Sequence, residues 1–198
     1  MSILLLGGSP QQPSSSGRLL AFIGERLVLQ GHGVGKLDVR ELPAQALLLA
    51  DYSDPAIAQA VQAVAAADAI VIATPIYKAA YTGLLKTFLD LLPQDGLAGK
   101  LVLPLATGGG HAHTLALDYA LRPVLQALGA KQVYTSIYAN AQQLGWHEER
   151  GLNLDEPIAK RVQAGIDELS AGLSVLAGAR QSAVAPSVRA SHADLQPA

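Results

Sequence analysis

The sequence contains no cysteine, which removes several kinds of chemistry at once. Disulfides, thiolate metal sites, iron–sulfur clusters and a cysteine nucleophile are all excluded, and a cysteine-free chain fits a reducing compartment. Charge is also scarce, because only 15% of the 198 residues are charged and the formal net charge is −2. No cluster of lysine and arginine marks a basic face, so the composition predicts no nucleic-acid partner.

Long apolar runs are missing as well. No uninterrupted apolar stretch approaches the roughly 20 residues of a membrane span. The first six residues have neither the basic region nor the apolar length of a signal peptide. We therefore predict a cytoplasmic protein with no membrane partner. Because 50% of the residues are hydrophobic, we expect a folded globule with apolar surface left for a homo-oligomer.

The chain does contain a repeated alternation of apolar strands and amphipathic helices. Strict alternation predicts a parallel sheet with helices on both faces. Five strands favour a flavodoxin-like α/β fold with strand order 2-1-3-4-5 over a six-strand dinucleotide fold. We expect residues 1–178 to form one domain and residues 179–198, which show no sustained period, to form a flexible tail. The five predicted strands are residues 3–6, 34–39, 69–73, 101–106 and 132–138.

The first of three polar turns follows the first strand and contains Ser9, Ser14, Ser16 and Arg18. Free backbone N–H groups at the start of a helix, together with hydroxyls, suit a phosphate. Arg18 would add a charge-assisted contact. The turn lacks the glycine pattern of dinucleotide folds and the lysine of a P-loop, which favours a monophosphate. The alternative interpretation is a serine-rich helix cap with no ligand, and the residue types fit both interpretations equally well. The position of the turn after strand one favours the phosphate site.

The second turn, Thr74-Pro75-Ile76-Tyr77, ends the third strand and leads into a helix. A proline and a tyrosine at the carboxyl end of a strand place a rigid backbone and an aromatic side chain beside a flat ligand. Tyr77 is therefore the candidate contact for a ring system. Ordinary half-buried packing is the alternative for this tyrosine.

The third turn, Thr107-Gly108-Gly109-Gly110, ends the fourth strand. Glycine permits a close approach of the backbone to a ligand, which predicts a ligand-binding edge. The alternative interpretation is that the glycines only make a flexible turn. His111 and His113 follow it, but no third ligand is evident, so we predict no metal site. No G-x-S-x-G pattern supports a serine hydrolase. The three turns together predict a crevice for a flat ring that carries one phosphate.

Three blocks of the sequence, taken together, resemble the NAD(P)H-dependent FMN reductase family, which has a flavodoxin-like fold. Within that family the chain is similar to the reductases that serve alkanesulfonate monooxygenases. The likeness extends from about Ile3 to Leu176. The blocks are Gly-Ser-Pro with its serine cluster, residues 74–90 and residues 103–109, and residues 118–125 support the narrower likeness.

The resemblance implies FMN and either NADPH or NADH as cofactors, with FMN either held as a cofactor or turned over as a substrate. It places Ser9, Ser14, Ser16 and Arg18 on the FMN phosphate. Residues Thr74, Pro75, Ile76 and Tyr77 would lie along the flavin ring, and Thr107, Gly108 and Gly109 along its far edge. Many relatives carry a basic residue where this chain has Gln11, which predicts weak phosphate binding unless Arg18 substitutes.

The resemblance also implies a dimer of dimers that passes reduced flavin to an FMN-dependent monooxygenase. Tyr119 would lie in a π-bulge at the tetramer interface, near the flavin of a neighbour. No acid or base is required for hydride transfer between two cofactors, so we assign no catalytic residue. Two alternatives stay open: an FMN-containing quinone, azo-dye or metal-ion reductase of the same fold, and a flavodoxin-like electron carrier that is not an enzyme.

Overall fold

The computed structural model describes residues 1–149 and 151–184. Its main sheet has the order β2-β1-β3-β5-β6. All the pairs along this order are parallel, which confirms the predicted flavodoxin-like arrangement. The strands of the main sheet are β1 (Ser2–Gly7), β2 (Gly33–Asp38), β3 (Ala69–Tyr77), β4 (Ala80–Tyr81), β5 (Leu101–Gly108), β6 (Gln132–Val133) and β7 (Ile137–Asn140).

Helices cover both faces of the sheet, as strict alternation predicts. Side chains of β1 point alternately to the two faces, so Leu4 and Leu6 lie in one core while Ile3 and Leu5 lie in the other. The helices α1 and α6 cover the face of Ile3 and Leu5, and the others cover the opposite face. The α-helices are α1 (Ser15–Leu29), α2 (Ala44–Leu49), α3 (Pro55–Ala66), α4 (Gly83–Leu89), α5 (Arg122–Ala127) and α6 (Glu156–Val184).

The predicted third strand was too short at its carboxyl end. Strand β3 continues through the turn that we expected after residue 73 and ends at Tyr77. It then reverses through Lys78 and Ala79 and pairs antiparallel with β4. Both reversing residues have positive φ, 49° and 66°, the conformation of a two-residue hairpin turn. This hairpin projects from the carboxyl edge of the sheet.

The predicted fifth strand is divided into two pieces. Strand β6 pairs with the start of β5 and β7 with its end, with an interruption at residues 134–136. The polar composition of residues 139–153 predicts a loop, but this stretch contains an antiparallel hairpin, β8 (Leu144–His147) and β9 (Gly151–Leu154). Sequence periodicity misses such short strands because each has only a few residues to alternate.

The sequence pattern predicts a single helix from about His113 to Leu128, but the structure does not contain a uniform α-helix there. Residues Leu117–Leu121 form a π-helical turn that runs directly into α5. Tyr119 is at the centre of this turn, so the structure confirms the π-bulge that the resemblance implies. The tyrosine side chain is 79% exposed.

The last helix extends beyond the predicted domain end at residue 178, because α6 continues to Val184. The rest of the predicted tail, residues 185–198, lies outside the described residues. Over residues 1–149 and 151–184, no helix combines the length and the apolar character needed to cross a membrane.

Candidate functional site

The three turns meet at one cleft on the carboxyl edge of the sheet. The cleft has a volume of about 300 Å³. It brings together all the predicted ligand-binding residues except Arg18 and Thr74, and it adds four that the prediction did not include. Its lining consists of Ser9, Gln11, Pro13, Ser14, Ser15, Ser16, Pro75, Ile76, Tyr77, Thr107, Gly108, Gly109 and Ala141.

The first turn presents hydrogen-bond donors at the amino end of α1. Ser14 is the cap of this helix, and its hydroxyl accepts a hydrogen bond of 3.0 Å from Gly17 N. The N–H groups of Ser15 and Ser16 have no acceptor within the helix, because they belong to its first turn. The Ser14 and Ser16 hydroxyl oxygens are 3.5 Å apart. Two N–H groups and two hydroxyls at a helix start form a suitable place for a phosphate.

Ser9 contributes to the shape of the turn. Its hydroxyl accepts a hydrogen bond from Gln11 N (3.2 Å) and donates one to Gln11 O (3.1 Å). The side chain is 7% exposed. The turn therefore has a fixed conformation before any ligand arrives, which reduces the entropy lost on binding.

Thr74 lies under the cleft and does not line it. The residue is completely buried, and its hydroxyl oxygen accepts a hydrogen bond of 3.2 Å from Thr82 N. Thr82 in turn donates its hydroxyl to Gly8 O at 2.5 Å and accepts from Leu85 N at 3.1 Å. Thr82 thus caps α4 and also connects the second turn to the first. The structure places Thr74 in a support role, whereas the resemblance implied contact with the ring.

The second turn forms one wall of the cleft. Ile76 is buried beneath the surface, Pro75 is half-buried, and Tyr77 is 46% exposed at the rim. Pairing of Tyr77 with Ala80 in the β3–β4 hairpin holds this rim in place. A half-exposed tyrosine above buried aliphatic side chains provides apolar surface for the edge of a flat ring.

The third turn lines the cleft beside the second, since Thr107 pairs with Pro75 in the sheet, and Tyr138 supports it. Tyr138 is 4% exposed, and its hydroxyl donates to Gly110 O. Burial raises the pKa of Tyr138, so the hydroxyl stays protonated and remains a donor near neutral pH. A side chain at Gly108 would collide with the Tyr138 hydroxyl, whereas one at Gly109 would meet no atom within 4 Å. Glycine at position 108 is therefore needed for packing, and the open space at 109 leaves the backbone accessible to a ligand.

Arg18 lies on a neighbouring cleft. Its guanidinium carbon is 4.0 Å from the centroid of the Trp146 ring, a cation–π distance. Trp146 comes from the β8–β9 hairpin, which the sequence did not predict. The only titratable group among the described residues that line the first cleft is the Tyr77 phenol, so this cleft offers donors, backbone and apolar surface but no general acid or base.

Tyr119 shares a surface depression with the tip of the β3–β4 hairpin. The depression includes Ala79, His113, Leu115 and Tyr119. Because Ala79 follows Tyr77 by two residues, the π-helical turn lies next to the ring end of the cleft. Within residues 1–149 and 151–184, no group of three histidine, aspartate or glutamate side chains is arranged to hold a metal ion.

The cleft matches a flavin mononucleotide in the order of its groups. Phosphate donors come from the amino end of α1, after β1, and an apolar rim with accessible glycine backbone comes from the ends of β3 and β5. An open α/β sheet with such a crevice at the carboxyl ends of its strands defines a flavodoxin-like nucleotide-binding protein.

Comparison with known proteins gives the family. The sequence model of the NADPH-dependent FMN reductase family matches residues 1–144, and the chain belongs to this family. FMN reductase (NADPH) of Pseudomonas putida KT2440 is 46% identical over 148 residues, 75% of each chain. FMN reductase (NADPH) of Escherichia coli K12 is 44% identical over 144 residues, 73% of this chain and 75% of that one.

A solved structure supports the same assignment. The apo form of NADH:FMN oxidoreductase (EMOB) superposes with a TM-score of 0.77 at 40% identity, over 85% of this chain and 87% of that one. The matched family region ends at residue 144, so the β8–β9 hairpin with Trp146 lies outside it.

Sequence reasoning missed Thr82, Tyr138 and Trp146. Thr82 had a usable signal, since a threonine directly before a helical segment is a typical amino-terminal cap. Tyr138 and Trp146 had none, because their roles depend on strands that the chain brings together only on folding.

Proposed function

We propose that this protein oxidises NADPH or NADH and reduces FMN in the cleft where its three turns meet. One observation carries the proposal: phosphate donors at the start of α1 and an apolar rim at the ends of β3 and β5 line the same cleft. When bound, the flavin accepts a hydride from the reduced nicotinamide, which is chemistry that belongs to the cofactors. The residues of the chain bind the flavin, orient its ring and shield it from water.

Each turn has a separate part in this function. Ser14, Ser15 and Ser16 hold the phosphate through hydroxyl and N–H groups. Pro75, Ile76 and Tyr77 lie along one edge of the ring, and Gly108 and Gly109 lie along the other. Fixing the ring between two walls leaves one of its faces open for the nicotinamide, and this orientation supplies the catalysis. No residue is proposed as a proton donor or acceptor.

We further propose that FMN behaves as a substrate and leaves after reduction. The first cleft has no cationic side chain among its described lining residues, and Arg18 is engaged with Trp146 next to it. A phosphate held mainly by neutral donors is released more easily than one paired with a guanidinium. Release suits a protein that supplies reduced flavin to a separate FMN-dependent monooxygenase, of the alkanesulfonate class by the sequence resemblance.

The proposal includes a cytoplasmic homo-oligomer, a dimer of dimers, with Tyr119 at an interface. A tyrosine with 79% of its surface exposed, beside the exposed Leu115, gives apolar area for a second copy. The π-helical turn that contains Tyr119 is short, and such turns often occur at functional positions.

Steady-state oxidation of NADPH and of NADH, with varied FMN, FAD and riboflavin, tests the activity. We expect saturable turnover with added FMN and little flavin retained after purification. Purified protein that does not oxidise either nucleotide in the presence of FMN would remove the proposal. If the purified protein is yellow because it retains flavin, and if it reduces a quinone without added flavin, it is instead a reductase with tightly bound FMN.

Tyr119→Ala tests the proposed interface, with Tyr119→Phe as the matched control. We expect the alanine variant to form smaller assemblies by light scattering and to deliver reduced flavin more slowly, while the phenylalanine variant keeps the assembly. Unchanged size and unchanged flavin delivery in the alanine variant would remove the special role of Tyr119.

A further inference from the structure

A second cleft lies directly behind the first turn, toward β2. Its volume is about 220 Å³. Five residues of the first turn face both clefts: Ser9, Gln11, Pro13, Ser14 and Ser16. A ligand whose phosphate lies at the amino end of α1 could therefore extend from one cleft into the other. The remaining lining comes from Gly7 and Gln12, from α1, and from residues 36–40 at and after the carboxyl end of β2.

The second cleft is rich in positive charge, unlike the first. It is lined by Arg18, Lys36 and Arg40 and by a single carboxylate, Asp38. Lys36 Nζ lies 2.7 Å from Asp38 Oδ2. This pairing leaves the cationic groups of Arg18 and Arg40 in excess. Among the described residues, no carboxylate forms an ion pair with either arginine.

The side chains at the base of this cleft are held in place. The Asp38 carboxylate lies against Gly7, where any side chain would displace it. Trp146 stacks on the Arg18 guanidinium at 4.0 Å, which fixes the direction of that side chain. Arg40 is exposed at the mouth. Arg18 and Arg40 suit a second phosphate, and the Asp38 carboxylate suits the hydroxyl groups of a sugar.

The order of the strands in the sheet determines the order in which the parts of a ligand would lie along its carboxyl edge. Along β5, β3, β1 and β2, the ring walls come from β5 and β3, the phosphate turn follows β1, and the second cleft lies at the end of β2. In open α/β sheets that bind dinucleotides, the carboxyl end of the second strand takes the adenosine, with an acidic residue on the ribose and an arginine near its phosphate. Asp38 and Arg40 occupy the corresponding positions in this chain.

We propose that the second cleft binds the adenosine phosphate of a dinucleotide. The inference rests on the proposed function and adds a subsite to it. The adenosine phosphate could belong to FAD or to NADPH, and the continuity of the two clefts favours FAD. FAD is FMN with AMP attached to its phosphate, so it would extend from the first cleft into the second. Its second phosphate would meet Arg18 and Arg40, and its adenosine ribose would meet Asp38. The other source of the same chemistry is the 2′-phosphoadenosine of NADPH.

Arg40→Gln is the test variant, because Arg40 is exposed and has no role in the first cleft. Arg161→Gln, an exposed arginine on α6, is the matched control. Dissociation constants for FAD, FMN and riboflavin are measured from quenching of flavin fluorescence. We expect Arg40→Gln to weaken FAD binding about three- to tenfold, as removal of one charge-assisted contact does, with FMN and riboflavin unchanged. The control should leave all three constants unchanged.

A second measurement distinguishes FAD from NADPH as the ligand of the second cleft. The KM for NADPH and for NADH is determined with FMN as acceptor in both variants. A selective rise in the NADPH KM for Arg40→Gln would assign the cleft to the 2′-phosphate of NADPH. A selective loss of FAD binding would assign it to FAD.

Two results would overturn the inference. In the first, the Arg40→Gln variant binds FAD and uses NADPH as well as the wild-type protein does. In the second, Arg40→Gln weakens FMN binding as much as it weakens FAD binding. The latter would place Arg40 on the FMN phosphate itself. Failure of the wild-type protein to oxidise NAD(P)H with FMN would count against the proposed function and is a separate observation.

Discussion

At the residue scale, the site depends on hydroxyl groups whose partners are backbone atoms. The Thr82 hydroxyl donates to Gly8 O and accepts from Leu85 N, and the residue is 3% exposed. Removing this hydroxyl removes a helix cap and leaves the Gly8 carbonyl without its donor. One small side chain therefore determines how the first two turns are placed relative to each other.

Thr82→Ala should lower the free energy of unfolding by about 1–3 kcal/mol and weaken FMN binding. Thr82→Ser keeps the hydroxyl and should lose considerably less stability. Urea denaturation and FMN titration of the two variants measure both effects. Equal midpoints for the alanine, serine and wild-type proteins would show that the connection between the turns contributes nothing.

Gly108→Ala should destabilise the fold by about 1–3 kcal/mol, because the added methyl group meets the Tyr138 hydroxyl. Gly109→Ala is the matched control, since its methyl group meets no atom, and we expect it to fold normally. Combining Gly108→Ala with Tyr138→Phe removes the clashing oxygen and should recover part of the stability, measured by thermal unfolding. Independent, additive effects of the two substitutions would contradict the proposed collision.

Several of these residues were predictable and others were not. Ser14 and Tyr77 were found because caps and strand ends have local signals. Thr74 was assigned to the ligand because sequence position cannot distinguish a side chain above the sheet edge from one below it. The position of Arg18 in the neighbouring cleft was not predictable, because its stacking partner, Trp146, is far away in the sequence.

At the element scale, the β8–β9 hairpin stands out because it reaches the site from outside the matched family region. Trp146 in β8 is its contact with α1, through Arg18. The hairpin lies in a stretch that looks like a polar loop in the sequence, since each strand has only four residues. Its strands become recognisable only when they pair with each other.

Trp146→Ala should weaken binding of FAD several-fold while leaving FMN binding nearly unchanged, because the stacking orients Arg18 in the second cleft and neutral donors hold the FMN phosphate. Trp146→Phe preserves an aromatic face and should restore most of the difference. The ratio of the two dissociation constants is the measurement. A parallel loss for FAD and FMN would indicate a general disturbance of the fold and no role in binding the second phosphate.

The secondary-structure elements differ in how well the sequence predicts them. The order of the predicted parallel strands is confirmed, although the fifth is divided into β6 and β7, because long apolar runs between amphipathic helices leave few alternatives. The β3–β4 hairpin was missed since neither Lys78 nor Ala79 is a typical residue for positive φ. The π-helical turn was implied only by resemblance, since a single inserted residue leaves almost no trace in helical periodicity.

At the scale of the whole molecule, Asp68 connects the two ends of the described chain. Its carboxylate accepts from Ser2 N at 2.7 Å and forms an ion pair of 2.5 Å with Arg180 on α6. Burial raises the pKa of Asp68, but the hydrogen bonds from Ser2 and Arg180 outweigh it, and the pKa is lowered overall. The ionised form is therefore favoured by folding.

Asp68→Asn should reduce stability at neutral pH, and the difference from the wild-type protein should vanish in acid. A lowered pKa in the folded state means that the stabilisation is complete above the pKa of the unfolded chain and is lost as the pH falls through the folded value. Urea midpoints of both proteins across this range are the measurement. A difference that stays constant with pH would show that the charge of Asp68 does not contribute.

The dimensions of α6 have a practical consequence for attaching the protein to a surface. The helix has 29 residues, which is about 43 Å at the usual rise, whereas the six residues of β1 span only about 20 Å. Because Arg180 meets Asp68 at the amino edge of the sheet, the helix ends on the side opposite the clefts. An electrode or a resin coupled near the end of α6 would leave the nucleotide-binding edge facing the solution.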